Sequence, residues 1–425
     1  MRYLFFSILQ LLNLSSCMAG GVFDSLFYRR TLRVDWILAG NHTTSNAYLS
    51  ALRQEPYWAG STRQVIDQTG FGEYRLLLKD SASGAVLYMQ GFCTLFQEWQ
   101  STAEAQTCQR AFEQVALMPF PKHNAVVVIQ QRQPDQSFAT LLKVDIDPLS
   151  TDIIRDDQPK LEVVDVENHG NADECVDILF LAEGYTATEQ LKFIADVKRM
   201  CDYLFSFAPY SNHRDRFNIR AVKAISPQAG TDNPLKQQWV QTPFNTSFNS
   251  LGIDRYLLTH HLFAVRDYAS LAPADQVVVL VNSPLYGGAG IYNHFVVVTS
   301  DHRESLPVFA HEFGHAFAAL ADEYYTSDVS YNNFIDKSTE PWYPNITTLV
   351  DFNEKWKQFV PSRTPVPTPE TPEWAGKIGV FEGAAYSAKG VYRSSINCRM
   401  MNNDAPGFCP VCQMTIEKII QQHIK

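Results

Sequence analysis

The sequence predicts an α+β protein in which an N-terminal β-sandwich precedes a larger α/β domain. Three observations support this fold class. The 425 residues exceed the usual length of one domain. Short segments of alternating apolar and polar residues, separated by turn residues, fill residues 23–150 and are typical of antiparallel sheets. After a polar, Asp- and Pro-containing linker at 151–167, strand-length apolar runs alternate with helical patterns through 168–425.

The first 20 residues are typical of a signal peptide. Met1 and Arg2 give a short basic start, and residues 3–14 form an apolar run too short to span a bilayer. The sequence Leu14-Ser15-Ser16-Cys17 is similar to the cleavage motif of bacterial lipoproteins, so a lipid on Cys17 would attach the chain to a membrane. The alternative is plain secretion with cleavage near Ala19. We therefore expect an exported protein: secreted, periplasmic or an outer-surface lipoprotein.

Five segments of the N-terminal part have the composition and alternation of strands, and one has a helical pattern. The helical pattern lies at 103–114. The strand patterns lie at 31–38, 73–79, 86–92, 125–129 and 141–146.

The second part contains more buried strands and at least two helices. Thr186 and Glu189 form a capping-box pattern that begins a helix expected to reach about Leu204. A terminal helix is expected at 414–424, and residues 324–391 are expected to be rich in loops. Strands are expected at 176–182, 217–226, 276–281 and 294–299.

His311, Glu312 and His315 form the most informative motif of the chain. The two histidines are four residues apart, so a helix places both imidazoles on one face, where they can bind one Zn²⁺. In sites of this kind the adjacent carboxylate is the general base toward a metal-activated water. The flanking residues are apolar and helix-forming, and burying two histidines and a glutamate is costly unless they have a metal or other partners.

The third zinc ligand is expected to be Asp322. In a continuous helix, eleven residues past His311 would place it roughly 16 Å along the axis, out of reach of the same ion. The helix must therefore end soon after His315 and the chain must turn back, although no glycine lies between His315 and Asp322. Glu354 and Glu323 are rival ligands, and Glu323 could instead support a histidine N–H.

Two further segments carry candidate functional residues. Gly287, Gly288 and Gly290 precede an apolar strand and would let a substrate backbone approach closely, or they form a hairpin without a ligand. Tyr392 is a speculative hydrogen-bond donor to a transition-state oxyanion. His294 is more typical of a loop or core histidine than of a ligand.

The C-terminal segment contains three clustered cysteines: Cys398, Cys409 and Cys412. They could form a structural zinc site, but the sequence offers no clear fourth ligand beyond the remote His423. In an exported protein a disulfide from Cys398 to one of the other two is the favoured alternative. Nearby, Met400 or Met401 could pack beneath the metal site, or both could be ordinary core residues.

The chain resembles the M64 metallopeptidases, the IgA-peptidase family. The strongest likeness is the pattern His-Glu-Phe-Gly-His-x-Phe-Ala-x-Leu-Ala-Asp-Glu-Tyr from His311 to Tyr324. The early β-rich part resembles the N-terminal domain of that family. Weaker likenesses are found at 176–185, 286–293, 397–400 and 408–412.

This resemblance implies a β-sandwich followed by a zincin-like catalytic domain. It implies one zinc ion held by His311 and His315, with Glu312 as general base, and it favours Asp322 as the third ligand. Members of the family often have a glycine near position 318 or 319, where this chain has alanine at both. This departure puts the geometry of the turn, but not the two histidines, in question.

The function expected from the sequence is hydrolysis of peptide bonds in extracellular or periplasmic proteins by a zinc endopeptidase. The alternatives are a surface protein that binds protein or glycan with a vestigial metal site, and a zinc amidase acting on cell-wall peptides. A formal net charge of -10 argues against a nucleic-acid partner, which would require basic stripes.

Overall fold

The computed structural model describes residues 15–155, 160–326 and 334–424, with side chains from residue 21 onward. The fold is α+β, with four sheets and six α-helices in those ranges. Helix α1 (Ser15–Leu26) includes Cys17, whereas residues 1–14 of the predicted signal peptide lie outside the described residues. Within the described part of the chain, no helix combines the length and apolar character needed to cross a bilayer.

Two four-stranded sheets form the N-terminal part. One has the order β5-β1-β2-β8 and the other β4-β3-β6-β7. Helix α2 (Leu95–Gln100) lies between β4 and β5. The strands are β1 (Phe27–Gly40), β2 (Ser45–Glu55), β3 (Tyr74–Asp80), β4 (Val86–Phe92), β5 (Arg110–Pro121), β6 (Ala125–Arg132), β7 (Phe138–Ile146) and β8 (Ile153–Ile154).

Alternation along the strands explains how these two sheets pack. Val34 and Trp36 of β1, together with Leu78 of β3, are fully buried in one apolar core that draws on both sheets. The same buried cluster continues into the strands and helices of the second part of the chain.

The helix predicted at 103–114 is wrong. The segment forms a short 3₁₀ turn (Glu104–Gln106) and then strand β5, which pairs with β1 from Arg110 to Pro121. Pairing along twelve residues of β5 outweighs a weak local helical preference. Strands β2 and β5 were not among the predicted strands.

A six-stranded mixed sheet organises the rest of the chain, in the order β13-β14-β12-β10-β11-β9. Its four inner strands are parallel, and the two edge strands, β13 and β9, are antiparallel to their neighbours. The inner strands β10, β12 and β14 are buried along their whole length, as apolar runs covered on both faces require. The strands are β9 (Val163–Glu167), β10 (Val176–Glu183), β11 (Phe217–Val222), β12 (Gln276–Val281), β13 (Gly288–Ile291) and β14 (Phe295–Thr299).

The predicted linker, 151–167, contributes strands to both parts of the protein. Ile153–Ile154 forms β8 beside β2, and Val163–Glu167 forms β9 beside β11. Alternating valine and acidic residues suit an edge strand with one solvated face, which explains why the polar composition resembled a linker.

The helices of this second part are α3 (Gln190–Leu204), α4 (Leu262–Ala269), α5 (Ser305–Ala318) and α6 (Pro410–Ile424). The predicted capping box is present: Thr186 N–H donates to the Glu189 carboxylate, and the Thr186 side chain caps in return. Helix α5 lies against β13 and β14 and contacts α3 and α6. The expected loop-rich region also contains a small sheet of β15 (Ile346–Thr347), β16 (Phe381–Ala384) and β17 (Ser387–Arg393).

Candidate metal centre

Helix α5 places His311 and His315 side by side, with ring centroids 4.7 Å apart. Backbone carbonyls fix both rings. His311 Nδ1 lies 3.0 Å from the carbonyl oxygen of Arg399, and His315 Nδ1 lies 2.5 Å from that of Leu320. A carbonyl only accepts, so each Nδ1 carries the hydrogen and each Nε2 keeps its lone pair for a ligand.

The chain turns back directly after this helix, as the position of Asp322 requires. Helix α5 ends at Ala318, and Ala319 adopts the left-handed conformation with φ 56°. This is the position at which a helix usually ends on glycine, so an alanine here makes the predicted turn at some conformational cost.

A buried asparagine holds the returning segment in place. Asn345 Oδ1 accepts a hydrogen bond from the N–H of Ala321 at 2.7 Å, and its Nδ2 donates to the Ala321 carbonyl at 2.9 Å. This bidentate pairing mimics a strand partner for the residue that precedes Asp322.

Three electron-pair donors meet where the helix and the returning segment face each other. Asp322 Oδ1 lies 2.9 Å from His311 Nε2 and 3.2 Å from His315 Nε2, and the two Nε2 atoms are 3.0 Å apart. With both Nδ1 atoms protonated, these three lone pairs repel one another unless a proton or a cation lies between them. Two imidazoles and one carboxylate form the donor set of a catalytic zinc site with an open fourth position.

The electrostatics of the cluster show how strongly these groups are coupled. Burial alone would lower the pKa of His315, but the adjacent Asp322 carboxylate raises it to about 9. Burial alone would raise the pKa of Asp322, but the two imidazoles hold it well below its usual range. The two opposed shifts show that His315 and Asp322 interact strongly, as two ligands of one cation would.

Glu312 lines the same cavity, which has a volume of about 160 Å³. Burial raises the pKa of its carboxyl above the ordinary value, against the attraction of His311 and His315. A raised pKa brings a carboxylate closer to the range in which it exchanges protons near neutral pH.

Two tyrosines that sequence reasoning missed also line this cavity. The Tyr386 hydroxyl donates a hydrogen bond to Asp322 Oδ2, and the Tyr324 hydroxyl lies 3.3 Å from that of Tyr386. The Tyr324 ring stacks on His311, with an interplanar angle of 18°. Residue 324 ends the motif that begins at His311, but Tyr386 comes from a distant hairpin and carries no local signal.

The glycines of β13 have a structural role that the sequence did not indicate. A Cβ on Gly290 would lie 2.1 Å from the backbone oxygen of Glu312, and one on Gly288 would lie 2.8 Å from the Val308 side chain. Gly287 is likewise closed in by the ring of Phe248 at 2.5 Å. The close approach expected of a substrate is thus made by helix α5 itself, although Gly288 and Gly290 still line the cavity.

The N-terminal part of the chain contributes two carboxyl groups to the cavity. Glu98 of α2 accepts a hydrogen bond from the Tyr256 hydroxyl at 2.5 Å, and burial raises its pKa to about 7. Burial also raises the pKa of Glu73, to about 8. Sequence reasoning found no chemistry in this part because the two residues reach the site only through tertiary contacts.

Several predicted or rival site residues lie elsewhere. Tyr392 belongs to β17, opposite Glu382, and does not line the cavity. Met401 is half-buried, whereas the sulfur of Met400 lies under helix α5, 2.8 Å from where a Cβ on Gly314 would be. Glu354 is exposed in a 3₁₀ turn and is remote from the three donors.

The remaining histidines are not part of the centre. His294 has an enclosed Nε2, and burial lowers its pKa to about 4. His423 lies 3.5 Å from Asp275 and stacks on Phe317.

Glu323 points away from the histidines, toward Cys398, Cys409 and Cys412. None of the seven cysteines with described side chains forms a disulfide bond. The Sγ atoms of Cys398 and Cys412 are 3.7 Å apart, beyond the roughly 2.05 Å of a disulfide bond, so the expected disulfide is not formed.

Comparisons with known families give a consistent result along the chain. The family model described as IgA Peptidase M64 matches residues 164–375 and 370–420. The model described as Peptidase M64 N-terminus matches residues 22–143. No curated protein matches the chain.

Proposed function

From the premise that the chain belongs to the IgA peptidase M64 family and is therefore a metallopeptidase, we propose that it is a zinc-dependent endopeptidase. The observation that carries this proposal is the convergence of His311, His315 and Asp322 on one point beside Glu312. The donor set is the one that catalytic zinc sites use.

Each residue of the centre has a distinct task. When bound, a zinc ion would lower the pKa of a water molecule and polarise the scissile carbonyl. The Glu312 carboxylate takes the proton of the attacking water and delivers it to the leaving amine. The carbonyl groups of Arg399 and Leu320 keep both imidazoles oriented during this cycle.

Tyr386 is the proposed hydrogen-bond donor to the negative charge that develops on the substrate carbonyl. Its side chain lines the cavity, and its hydroxyl donates to Asp322 Oδ2, beside the three metal-binding atoms. It replaces Tyr392 in this role, since Tyr392 is remote from the donors. Tyr386→Phe should lower kcat more than it raises KM, whereas Tyr392→Phe should change neither by more than about twofold.

The substrate is proposed to bind as an extended peptide along β13. This strand is the outermost of the six-stranded sheet, antiparallel to β14, and Gly288 and Gly290 line the cavity next to Glu312. Tyr256 bridges the outer side of the strand at Gly288, so the peptide would pair with the residues from Ala289 to Ile291. Backbone pairing at a sheet edge suits peptides of many sequences. The neighbouring helix α5 and this antiparallel edge support a zincin-like catalytic domain.

We also propose that the chain acts outside the cytoplasm, because Met1, Arg2 and the apolar run that follows have the pattern of a signal peptide. Mass spectrometry of the mature N-terminus tests this. A chain beginning at a lipidated Cys17 supports a lipoprotein, and one beginning near Gly20 supports plain secretion. An intact Met1 in the mature protein would contradict export.

The experiment for the enzymatic proposal combines bound zinc with cleavage of casein and of a cell-wall peptide. Glu312→Gln should keep the metal and lose cleavage by at least about 10²-fold, because only the proton transfer is removed. Glu354→Gln is the control, because substitution of this exposed glutamate should change neither the bound zinc nor the cleavage. Cleavage of the cell-wall amide but not of casein would favour the amidase alternative.

A further inference from the structure

Three cysteines and one glutamate converge beside the metal centre, at a place to which no function has so far been assigned. Cys398, Cys409, Cys412 and Glu323 are all at most 3% exposed. One ligand atom from each lies within 4.8 Å of all the others. The sequence indicated the three cysteines but not the fourth member, because Glu323 comes from the segment that turns back after α5.

The distances within this cluster are those of a tetrahedral metal site. For metal–sulfur bonds of about 2.3 Å, two sulfurs lie about 3.8 Å apart, and a sulfur and a carboxylate oxygen about 3.5 Å apart. Cys398 Sγ and Cys412 Sγ are 3.7 Å apart. Glu323 Oε1 lies 3.2 Å from Cys412 Sγ and 3.8 Å from Cys409 Sγ.

Hydrogen-bond donors and positive charge lie around the sulfur atoms of this cluster. The N–H of Cys409 donates to Cys398 Sγ at 3.2 Å, and the Ser394 hydroxyl lies 3.3 Å from Cys409 Sγ. Cys409 directly precedes α6 and Cys412 lies in its first turn, where the helix dipole favours negative charge. The fully buried guanidinium of Arg393 interacts electrostatically with Glu323 and offsets part of the negative charge.

We propose that Cys398, Cys409, Cys412 and Glu323 form a second, structural metal site that takes Zn²⁺. Four protein ligands leave no open position, so this ion holds the fold and does not act on substrate. Glu323 Oε1, the oxygen that faces the sulfurs, also accepts a hydrogen bond from Asn345 Nδ2 at 3.1 Å, and Glu323 Oε2 is a buried oxygen without a hydrogen-bond donor among the described residues. A bound cation would compensate the charge of this buried carboxylate.

Two short backbone connections link the proposed structural site to the catalytic metal site. Glu323 follows Asp322 directly, and its N–H donates to the carbonyl of Met400 at 2.8 Å. Cys398 precedes Arg399, whose carbonyl orients His311. Loss of the structural ion should therefore lower the zinc affinity of the catalytic site by about 10–100-fold, the usual effect of losing support behind a ligand.

Cobalt substitution of the full-length chain tests the proposal. Thiolate ligands give Co²⁺ an intense charge-transfer band in the near ultraviolet, whereas two imidazoles and a carboxylate do not. The native chain should bind two ions and show the band. A His311→Ala, His315→Ala double variant should bind one ion and keep the band, independently of any peptidase activity.

Cys398→Ser should lose the band and one ion, and Cys201→Ser is the matched control. Cys201 is a fully buried cysteine of α3 outside the cluster, so its variant should keep both ions. If Cys398→Ser does not fold, the spectrum of the cobalt-substituted native chain still tests the proposal. Absence of the band in native protein, or a disulfide from Cys398 to Cys412 in peptide mapping, overturns the proposal.

Discussion

Gly290→Ala tests how closely helix α5, which carries the catalytic residues, packs on strand β13. The new Cβ would lie 2.1 Å from the backbone oxygen of Glu312 and 2.9 Å from its carbonyl carbon. Ordinary contact begins near 3.4 Å, so α5 and β13 must separate by about 1 Å. Because the obstacle is helix backbone, no side-chain rotation can relieve it.

The cost should appear in both stability and activity. Overpacking of this size destabilises a protein by about 1–3 kcal/mol. A displacement of about 1 Å in a helix that carries His311, Glu312 and His315 should lower kcat/KM by about 10²-fold. Thermal unfolding, zinc content and cleavage of a quenched fluorescent peptide measure the three effects.

Gly288→Ala is the matched control on the same face of the same strand. Its Cβ would meet Val308 Cγ1 at 2.8 Å and Glu312 Cγ at 3.2 Å, both side-chain atoms that can shift, and the Val297 carbonyl oxygen at 3.3 Å. A stability loss of about 1 kcal/mol or less is therefore expected, and the variant is a control for stability rather than for activity. If Gly290→Ala keeps its stability and zinc and only raises KM, the glycines serve the substrate backbone, and the packing explanation is wrong.

Three further substitutions test the surroundings of the centre. Ala319→Gly and Ala318→Gly each remove a buried methyl group, but only Ala319→Gly removes a side chain from a left-handed position. Urea unfolding should therefore find the Ala319→Gly variant more stable than the Ala318→Gly variant by about 1–2 kcal/mol. Equal losses of stability would contradict the strained turn. Burial raises the pKa of Glu73 from 4.5 to about 8, so the stability that it contributes below pH 4.5 is lost as the pH rises to about 8. Glu73→Gln should therefore reduce the fall in the free energy of unfolding between these pH values. An unchanged pH profile of stability would contradict this prediction. Asn345→Ala leaves the Ala321 N–H and C=O without their hydrogen-bond partner, which should destabilise the protein by about 2–4 kcal/mol. It should also weaken zinc binding in a competition titration with a chelator. An unchanged zinc affinity would show that this hydrogen-bonded pair does not support the metal centre.

The parts of the fold that were predicted correctly depend on local patterns. The capping box at Thr186 fixes the start of a helix within four residues, and the apolar runs of β10 and β12 are long enough to indicate buried strands. Strand β2 was not predicted because most of its residues are only half-buried and its sequence offers little alternation. Strand β5 was mistaken for a helix in its first half because only its pairing with β1 determines its conformation.

The residues of the candidate site also fall into two groups: those that local sequence patterns predict and those that only tertiary structure brings to the cavity. The spacing of His311 and His315 is a helix period, and the rise of a helix excludes a continuous one through Asp322, so these residues could be inferred from the sequence. Tyr386 and Glu98 reach the cavity from segments far along the chain, and no local pattern marks them. The orientation of Glu323 toward the cysteines, rather than toward a histidine, likewise depends on tertiary structure alone.

Anomalous diffraction at the zinc absorption edge tests the central claim most directly. Crystals of the zinc-loaded chain should show a peak within about 2.0–2.2 Å of His311 Nε2, His315 Nε2 and an Asp322 carboxylate oxygen, with Glu312 beside it but not bound to it. A peak that lacks Asp322, that includes Glu354 or Glu312 as a ligand, or that is absent from this cavity would contradict the proposed centre.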